Sequence, residues 1–392
     1  MNESTKAHGL DGSLVEPDWP PLTLSEVRAV LAKMPEVSEP VEILSASPRP
    51  FSAASVVRTS RGNVFVKRHA RSVRDVEGLM EEHRFMKHLR KNGVEVPRVF
   101  TADTEETAVE IGDWTYEVHD IPNGIDSYED AISWTPFRSV DHARSAGEML
   151  ARLHVAAGSY NAPRRKPRPL VASFTIFASD DPLKAFETYA SARPALVEDE
   201  WTRRDFEEAL TLLQPFHEEL KPLLVSLQPL WTHNDLHASN FFWSDKSRRA
   251  QAVSVIDFGL VDRTAAVYDL TQAIERNVVD WLVLMRDTNG GEDVSVHLDD
   301  LWALLEGYEG VRPLSRAEAH ALVPMLALCH AEFALTEADY FVGVLYSAEK
   351  ARIASRDYLV GHARWFSGPG RRKILEPLRQ WAESRERLAV RA

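Results

Sequence analysis

The sequence of 392 residues has a single cysteine, Cys329. One cysteine excludes an internal disulfide framework and any zinc site built from several cysteines. The chain also lacks an uncharged apolar run of about 18 to 20 residues, so no membrane-spanning helix is expected. No apolar segment follows a basic one at the start, so no secretory signal is predicted. Together these absences predict a cytoplasmic protein with no membrane partner.

Positive charge is also scarce. Lysine and arginine number 46 against 59 acidic residues, which gives a formal net charge of −13. Nucleic-acid binders usually present a basic surface, so no nucleic-acid partner is expected. A negative balance is compatible with a cationic small substrate. The hydrophobic fraction of 44% and charged fraction of 27% are ordinary for a globular protein with a substantial core. Nothing in the sequence indicates an oligomeric state.

Residues 1–20 are polar and predict a flexible arm. Residues 21–122 are rich in short β patterns and carry one prominent helix at 74–91. Thr23 and Glu26 fit a capping box at the start of a first, shorter helix. The strands are expected at 41–44, 54–59, 63–67, 94–100, 108–111 and 114–118.

Residues 123–392 have a mostly helical pattern. Helices are predicted at 141–157, 182–192, 202–226, 266–287, 298–308, 315–345 and 347–365. Two short strands, Phe241–Trp243 and 252–256, interrupt this pattern. The sequence therefore divides near 121–125 into a β-rich part and a helical part, which predicts an α+β protein.

Polar residues are unusually dense in the stretch His233-Asn-Asp-Leu-His-Ala-Ser-Asn240. Asn240 follows Asp235 by five residues, and the strand at 252–256 leads directly into Asp257-Phe-Gly. A hairpin of the two strands would bring Asp235, Asn240 and Asp257 to one end. The stretch also contains a His-x-x-x-His spacing, which on a helix could hold zinc. Its residues are poor helix formers and no third ligand is evident, so zinc is disfavoured.

Phosphoryl transfer from ATP with Mg²⁺ needs these three residue types. A carboxylate and an amide oxygen are suitable Mg²⁺ ligands, and a separate carboxylate must accept the proton of the attacking hydroxyl. The kinase pattern His-x-Asp-x-x-x-x-Asn followed by Asp-Phe-Gly assigns the base to Asp235 and the metal ligands to Asn240 and Asp257.

The same chemistry requires a lysine on an earlier strand and a glutamate on the next helix. Lys67 directly follows the apolar residues 64–66, and Glu82 lies in the helix predicted at 74–91. Lys67 would bind the α- and β-phosphates, and Glu82 would hold Lys67. Glu81 is the alternative to Glu82.

With these residues, the chain resembles the aminoglycoside phosphotransferase and choline kinase family over residues 40–365. The resemblance rests on HNDLHASN, VIDFG, VYDL, ARLH, VFVK and EVHDIPNG. It implies a bilobal protein-kinase-like fold, with an antiparallel sheet and one long helix in the N-terminal lobe (21–122) and a mostly helical C-terminal lobe (123–392). It also implies that Asp269 braces the catalytic loop and that the backbone of Val118 to Asp120 binds adenine.

The chain departs from the protein-kinase pattern in three places. No Gly-x-Gly-x-x-Gly precedes Lys67, and the corresponding loop, 45–53, contains no glycine. Asn234 stands where protein kinases have arginine, and no Ala-Pro-Glu follows Gly259. Regulation by activation-loop phosphorylation is therefore not expected.

The resemblance implies that the acceptor is a small molecule with a hydroxyl group, and a cationic acceptor would favour carboxylates. Candidate substrate residues are Glu275, Glu332 and Asp339, with Glu337 as a further candidate in the same segment, although solvated helix carboxylates explain each at least as well. The expected acceptor is aminoglycoside-like or an amino alcohol. Alternatives are a sugar, homoserine, a natural-product peptide precursor, or no acceptor at all in a nucleotide-binding scaffold. His154 and His237 are expected to support the loop through hydrogen bonds.

Overall fold

The computed structural model describes residues 7–9, 13–47, 49–284 and 289–389. The chain forms two compact units. The first comprises residues 1–124 with 254–256, and the second comprises residues 125–253 with 257–392.

The first unit is built on a five-stranded antiparallel sheet with the strand order β3-β4-β5-β7-β6. Its elements are β1 (Ala7–His8), β2 (Leu14–Val15), α1 (Leu24–Leu31), β3 (Pro40–Ala46), β4 (Ala53–Thr59), β5 (Gly62–Ala70), α2 (Val76–Lys91), β6 (Val109–Ile111) and β7 (Trp114–Asp120). The two-residue strands β1 and β2 pair with each other. They lie in the predicted arm, of which residues 1–6 and 10–12 are outside the described residues.

Alternation along β5 gives the sheet two different faces. Val64 and Val66 belong to a buried apolar cluster that includes Val27 and Val30 of α1. Since successive side chains of a strand point to opposite faces, Lys67 lies on the other face. The first unit thus has one apolar face under α1 and one face that carries the lysine.

Local signals at helix ends are confirmed in this unit. Thr23 and Glu26 form the predicted capping box of α1, with Glu26 N donating to Thr23 Oγ1 at 3.3 Å and Thr23 N donating to Glu26 Oε2 at 2.8 Å. The predicted strand at 94–100 is wrong. Among the described residues it contributes only an isolated bridge between Val99 and His119.

The second unit is mostly helical. Its elements are α3 (Val140–Ala157), α4 (Pro182–Ser191), α5 (Pro194–Glu198), α6 (Glu200–Leu220), β8 (Pro229–Thr232), β9 (Phe241–Trp243), β10 (Ala252–Val255), β11 (Asp262–Ala265), α7 (Ala266–Val278), α8 (Trp281–Leu284), α9 (Leu298–Val311), α10 (Arg316–Leu328), α11 (His330–Gly343), α12 (Ala348–Arg352), α13 (Gly361–Ser367) and α14 (Glu376–Ala389). The last two residues of β10 cluster with the first unit. Two strand pairs occur, β8 with β11 and β9 with β10.

Several predicted helices are interrupted. The helix expected at 266–287 ends at Val278, and its residues 285–287 lie outside the described part of the chain. The helix expected at 315–345 breaks at Cys329, which is fully buried. The helix expected at 347–365 contains a π-helical segment, Ile353–Val360. The structure adds elements that were not predicted in this unit, among them α5, β8, β11 and α14.

One helical stretch of the described residues, Arg316–Gly343, is long and apolar enough to cross a membrane, with a mean hydropathy of 1.3 in its most apolar window. That window is 94% buried inside the protein. The stretch therefore packs as a core element of the second unit.

Candidate active site

Two strand pairs position the polar loop 233–240 and the segment that starts at Asp257. β8 leads into the loop and β11 follows the segment, with Thr232 paired directly with Asp262. The Phe258 ring lies 4.8 Å from the His233 ring, measured between centroids. Both segments are thus held at the same end of the β8–β11 pair.

Asp269, near the start of α7, braces the loop as predicted. Its Oδ2 accepts from His233 N at 2.8 Å, and its Oδ1 accepts from Asn234 N at 2.7 Å. His154 Nε2 lies 3.0 Å from Oδ2, and His154 Nδ1 lies 2.7 Å from the Tyr308 hydroxyl. Burial raises the pKa of Asp269, but the hydrogen bond and charge of His154 bring the pKa below its usual value. Asp269 therefore provides a buried anion that fixes two consecutive peptide groups, and the supporting role of His154 is confirmed.

Asn234 adopts a left-handed backbone conformation with φ of 64°. Asparagine tolerates this region better than most residues. Its side chain accepts from Thr232 Oγ1 at 2.8 Å and donates to the carbonyls of Ala172 at 3.2 Å and Leu260 at 3.1 Å. Asn234, which stands where protein kinases have arginine, thus has a structural role. Its side chain stabilises the turn before Asp235.

Asp235 is half-buried, and both its backbone and its side chain are held. Asn240 Nδ2 donates to the Asp235 carbonyl at 2.7 Å and lies 3.4 Å from Asp235 Oδ2. Arg276 Nη1 donates to Asp235 Oδ1. His237 N donates to the Asp235 carbonyl at 2.9 Å, while its ring lies 2.8 Å from the Ser239 hydroxyl. The loop therefore presents one carboxylate in a restrained orientation.

Arg276 was not singled out in the sequence. It lies on α7, whose residues are all buried, and its own side chain is fully buried. Burial lowers its pKa to about 10, so it remains protonated at neutral pH. Its guanidinium carbon lies 4.4 Å from the Phe333 ring centroid. A buried arginine requires a partner, but the sequence carried no local signal for this one, because the burial of α7 and the contact with Asp235 exist only in the folded protein.

Asp257 is exposed and has left-handed backbone angles, φ 60° and ψ 71°. The residues that follow are anchored by Arg165, whose Nη1 donates to the carbonyls of Gly259 at 3.1 Å and Val261 at 3.2 Å. Arg165 N also donates to Asp262 Oδ1 at 2.8 Å. The proline-rich loop 162–169 thus fixes the chain on the C-terminal side of Asp257.

The donor set of this loop suits a divalent metal ion that prefers oxygen. Because Asn240 Nδ2 is bonded to the Asp235 carbonyl, the amide oxygen remains available as a ligand atom, and it accepts no hydrogen bond from the described residues. Asp257 adds an exposed carboxylate. A hard cation such as Mg²⁺ is bound by this kind of oxygen set.

In the first unit, Lys67 on β5 lies opposite Glu117 on β7. Glu117 is surrounded by three imidazoles, with His69 Nε2 at 2.9 Å, His83 Nε2 at 2.6 Å and His119 Nε2 at 2.8 Å from its oxygens. Burial raises the pKa of Glu117, but the charge and hydrogen bond of His119 and the bonds from the other two rings hold it well below its usual value. The sequence reasoning missed this cluster, although it contains the glutamate and histidine of EVHD.

Glu82 is buried on α2, whereas Glu81 is only half-buried. Arg74 Nε donates to Glu82 Oε1 at 2.8 Å, and this pair is buried on both sides. Of the two predicted glutamates, Glu82 is thus the buried one, and its pairing with Lys67 stays a prediction. Its contact with Arg74 was not predicted from the sequence.

The expected adenine-binding backbone, Val118 to Asp120, already takes part in the first unit's hydrogen bonding. The Val118 carbonyl accepts from Phe100 N at 2.8 Å, and Asp120 N donates to the Arg98 carbonyl at 3.0 Å. Ile121, which follows β7, has a 38% exposed side chain. The predicted loop 45–53 includes Pro48, which lies outside the described residues.

The three predicted acceptor carboxylates occupy different environments. Glu332 accepts hydrogen bonds from the Ser173 and Thr175 hydroxyls at 2.7 and 2.9 Å, from Ile176 N at 2.6 Å and from Thr175 N. These bonds engage both oxygens and anchor residues 173–176 on α11. The assignment of Glu332 to the acceptor stays a prediction.

Asp339 and Glu275 are both buried. Asp339 Oδ2 lies 3.6 Å from Arg193 Nε, and burial raises its pKa to about 6. Glu275 precedes Arg276 and lies beside His330 and His362. Of the three predicted carboxylates, Glu275 is the one next to the arginine that binds Asp235.

Comparison with known proteins identifies the family of this chain. Residues 49–314 match the model of the phosphotransferase enzyme family. A homoserine kinase from Rhodospirillum rubrum is 28% identical over 216 residues, which cover 53% of this chain and 54% of that protein. The chain thus spans about half the length of the curated relative it matches.

Solved structures with similar folds include a microcompartment-associated aminopropanol kinase, with a TM-score of 0.58, 18% identity and coverage of 89% of this chain and 99% of that one. Amicoumacin kinase hAmiN, solved with AMP-PNP, Ca²⁺ and Ami, gives a TM-score of 0.53 at 15% identity, with coverage of 88% and 93%. The predicted α+β protein-kinase-like fold is confirmed, with an antiparallel sheet in the N-terminal part and a helical remainder. The chain belongs to the phosphotransferase enzyme family.

Proposed function

We propose that the protein transfers the γ-phosphoryl group of ATP to a hydroxyl group of a small molecule that carries an amino group. The observation that carries this proposal is the braced loop, in which Asp269 fixes two peptide groups and Asp235 is held by Arg276 and Asn240. A single restrained carboxylate is what a hydroxyl acceptor requires as a proton acceptor and orienting group.

Asp235 has the role of base in this proposal. It accepts the proton of the acceptor hydroxyl as the oxygen of that hydroxyl forms its bond to phosphorus. Arg276 orients the carboxylate, and the buried Asp269 keeps the loop in place during the reaction. The restraint contributes to catalysis because it removes the orientational freedom of the base before the reaction begins.

Asn240 and Asp257 are the proposed ligands of Mg²⁺, which neutralises phosphate charge when it is bound with the nucleotide. Lys67 is the proposed phosphate contact in the first unit, and Glu82 is its supporting carboxylate. Because the Val118 carbonyl and Asp120 N are already hydrogen bonded, we assign the adenine edge to the backbone that follows, 121–123. ATP rather than GTP as the nucleotide, and a cytoplasmic location, are part of the same proposal.

The acceptor class is inferred from a buried carboxyl that interacts electrostatically with Arg276, the residue that binds Asp235. Glu337 on α11 is fully buried, and its pKa responds to the charges of Arg276 and Glu275. Burial raises the pKa of Glu337 to about 8, and its Oε2 has no hydrogen-bond partner among the described residues. An ammonium group would provide that partner and stabilise the ionised carboxylate. Amino alcohols, aminoglycosides and homoserine share this group, and two of the similar proteins are named for such compounds, a homoserine kinase and an aminopropanol kinase.

The test is phosphoryl transfer from ATP by the wild-type protein and by Asp235→Ala, measured with choline, aminopropanol, homoserine, aminoglycosides and sugars. Wild type is expected to use an amino-bearing acceptor. Removal of the base should lower kcat by about 10² to 10⁴-fold. Binding of ATP with Mg²⁺, measured by calorimetry, should change little in this variant.

Asp245→Ala is the matched control, because Asp245 is an exposed aspartate in the turn between β9 and β10. It should retain wild-type turnover. Nucleotide binding without turnover of any acceptor would favour a scaffold without catalysis. Absence of nucleotide binding would contradict the proposal as a whole.

A further inference from the structure

A second group of polar side chains lies in the core of the second unit, away from the loop 233–240 in sequence. Glu275 on α7, His330 at the start of α11 and His362 on α13 are each at most 3% exposed. His330 Nδ1 lies 3.1 Å from Glu275 Oε1, and His362 Nδ1 lies 3.4 Å from the same oxygen. Three helices thus direct one ligand atom each to a common point.

These three atoms are not satisfied by hydrogen bonds. Glu275 Oε1, His330 Nδ1 and His362 Nδ1 are buried and have no partner with hydrogen-bond geometry among the described residues. Buried polar groups are normally paired, so an unpaired cluster of this kind requires an explanation. The two distances to Glu275 Oε1 are close to the separation of about 3.3 to 3.4 Å between ligands that stand about 2.0 to 2.1 Å from a tetrahedral zinc ion. All three ligand atoms lie within 4.8 Å of one another.

The cluster in the first unit provides the contrast. Glu117 with His83 and His119 is also a carboxylate with histidines. There, the imidazole nitrogens lie 2.6 and 2.8 Å from the carboxylate as hydrogen-bond partners, and His83 Nδ1 also lies 2.8 Å from the Thr107 hydroxyl. Those groups satisfy one another, so that cluster needs no ion.

The chemistry of the three groups also suits a cation. Glu275 is a buried carboxyl, and His330 and His362 are buried imidazoles. Neutral imidazole is the form that binds a metal, and a divalent ion would compensate the buried carboxylate. The positive charge of Arg276, whose Nε is 3.8 Å from Glu275 Oε2, is shared with Asp235.

The surrounding side chains hold the imidazoles in place. The indole of Trp281 stacks on His362 with 3.7 Å between ring centroids, and Tyr358 stacks on His330 at 5.8 Å. Fixed ring planes reduce the entropy lost when a metal binds. The site is therefore organised before any ion is present.

From these contacts we infer that Glu275, His330 and His362 form a binding site for a divalent transition metal of the zinc type, with a water or small-molecule donor as fourth ligand. The ion ties α7, α11 and α13 together next to Arg276. It is distinct from the Mg²⁺ proposed at Asn240 and Asp257, because its ligands are two imidazoles and one carboxylate rather than oxygen atoms alone.

The test measures metal binding without nucleotide or acceptor, so it does not depend on the proposed activity. The full-length protein is treated with EDTA, dialysed, loaded with Zn²⁺ or Co²⁺, and dialysed again. Metal content is then determined by mass spectrometry, and the Co²⁺ form is examined by visible absorption. Wild type should retain about one metal ion per chain and show the intense bands of tetrahedral Co²⁺.

Glu275→Gln and His362→Gln, which preserve side-chain volume closely, should lose this stoichiometric metal. His217→Gln is the matched control. His217 is buried in the same unit, but its Nε2 already lies 2.8 Å from the Ser179 carbonyl. Circular dichroism checks that each variant is folded. If a variant does not fold, the wild-type Co²⁺ spectrum decides. Retention of no metal by wild type, or equal retention by the Glu275 and His362 variants, would overturn the inference.

Discussion

Asp235 and Arg276 show how a buried cation can orient a partly exposed carboxylate. Asp235 is 17% exposed at its side chain, whereas Arg276 is fully buried. A guanidinium keeps its charge when buried and has a planar set of donors, so it restrains a carboxylate more strongly than a lysine does. We therefore regard Arg276 as a positioning residue that acts through Asp235.

Arg276→Met should lower kcat by about 10 to 100-fold, because the base keeps its chemistry but loses its orientation. The KM for ATP should change little. Arg276→Lys should recover part of the activity, because it restores the charge but not the planar geometry. Steady-state kinetics with separate kcat and KM values measure these effects.

Arg356→Met is the control for loss of an arginine ion pair in the same unit, since Arg356 pairs with Asp205 and Glu208. Its kcat should equal that of wild type. If Arg276→Met retained wild-type kcat while folded, Arg276 would have no positioning role.

At the level of elements, α3 and α9 approach each other through two glycines. A Cβ atom at Gly147 would lie 2.0 Å from the Leu304 carbonyl oxygen, and one at Gly307 would lie 2.0 Å from the Arg144 carbonyl oxygen. Such distances are far below any van der Waals contact, and the obstacle is backbone rather than a movable side chain. The crossing also supports the loop 233–240 indirectly, because α3 carries His154 and α9 carries Tyr308.

Gly147→Ala should reduce stability by about 1 to 3 kcal/mol or more, because the helices must separate. Gly310→Ala on α9 is the matched control, since a Cβ there meets nothing within 4 Å. In a helix, this second change should be neutral or stabilising by up to about 1 kcal/mol. Urea unfolding measures both, and an unchanged midpoint for Gly147→Ala would contradict the close crossing.

Elements with local signals were predictable from sequence. The capping box at Thr23 and the periodicity of α2 depend on residues a few positions apart, and both agree with the structure to within two residues. β8 and β11 were missed because their pairing joins residues about 30 positions apart. The break at Cys329 was missed because helical pattern and apolar composition continue on both sides of it.

In the candidate site, too, only features that depend on residues near one another in sequence were predictable. Asp235, Asn240 and Asp257 were found because their spacing along the chain is characteristic, although their assigned functions remain predictions. Arg276 was missed because its relation to Asp235 exists only after α7 packs behind the loop. For the same reason, spacing could not show that Glu332 holds residues 173–176.

At the scale of the whole molecule, two sets of buried titratable groups change the free energy of unfolding in opposite directions as pH rises. Burial lowers the pKa of His69 and His154, so below about pH 6.5 the unfolded chain binds protons that the native state does not. These histidines make stability rise with pH. Burial raises the pKa of Asp262 to about 6 and of Glu337 to about 8, so the native state keeps protons that the unfolded chain releases. These acids make stability fall as pH rises.

The two trends predict a stability maximum near about pH 6 to 7, with an alkaline decline in which Glu337 takes part. The contribution of Glu337 is fully present below its ordinary pKa of 4.5 and is lost as pH rises to about 8. Glu337→Gln should therefore leave stability at pH 5 nearly unchanged and raise it at pH 8, on the order of 1 to 3 kcal/mol relative to wild type. Thermal unfolding across pH 5 to 9, without ligands, measures this difference, and Glu198→Gln, at an exposed carboxylate, is the control. Parallel pH profiles for Glu337→Gln and wild type would show that Glu337 ionises in the folded protein as it does in water. Glu337 would then no longer support an acceptor that carries an amino group.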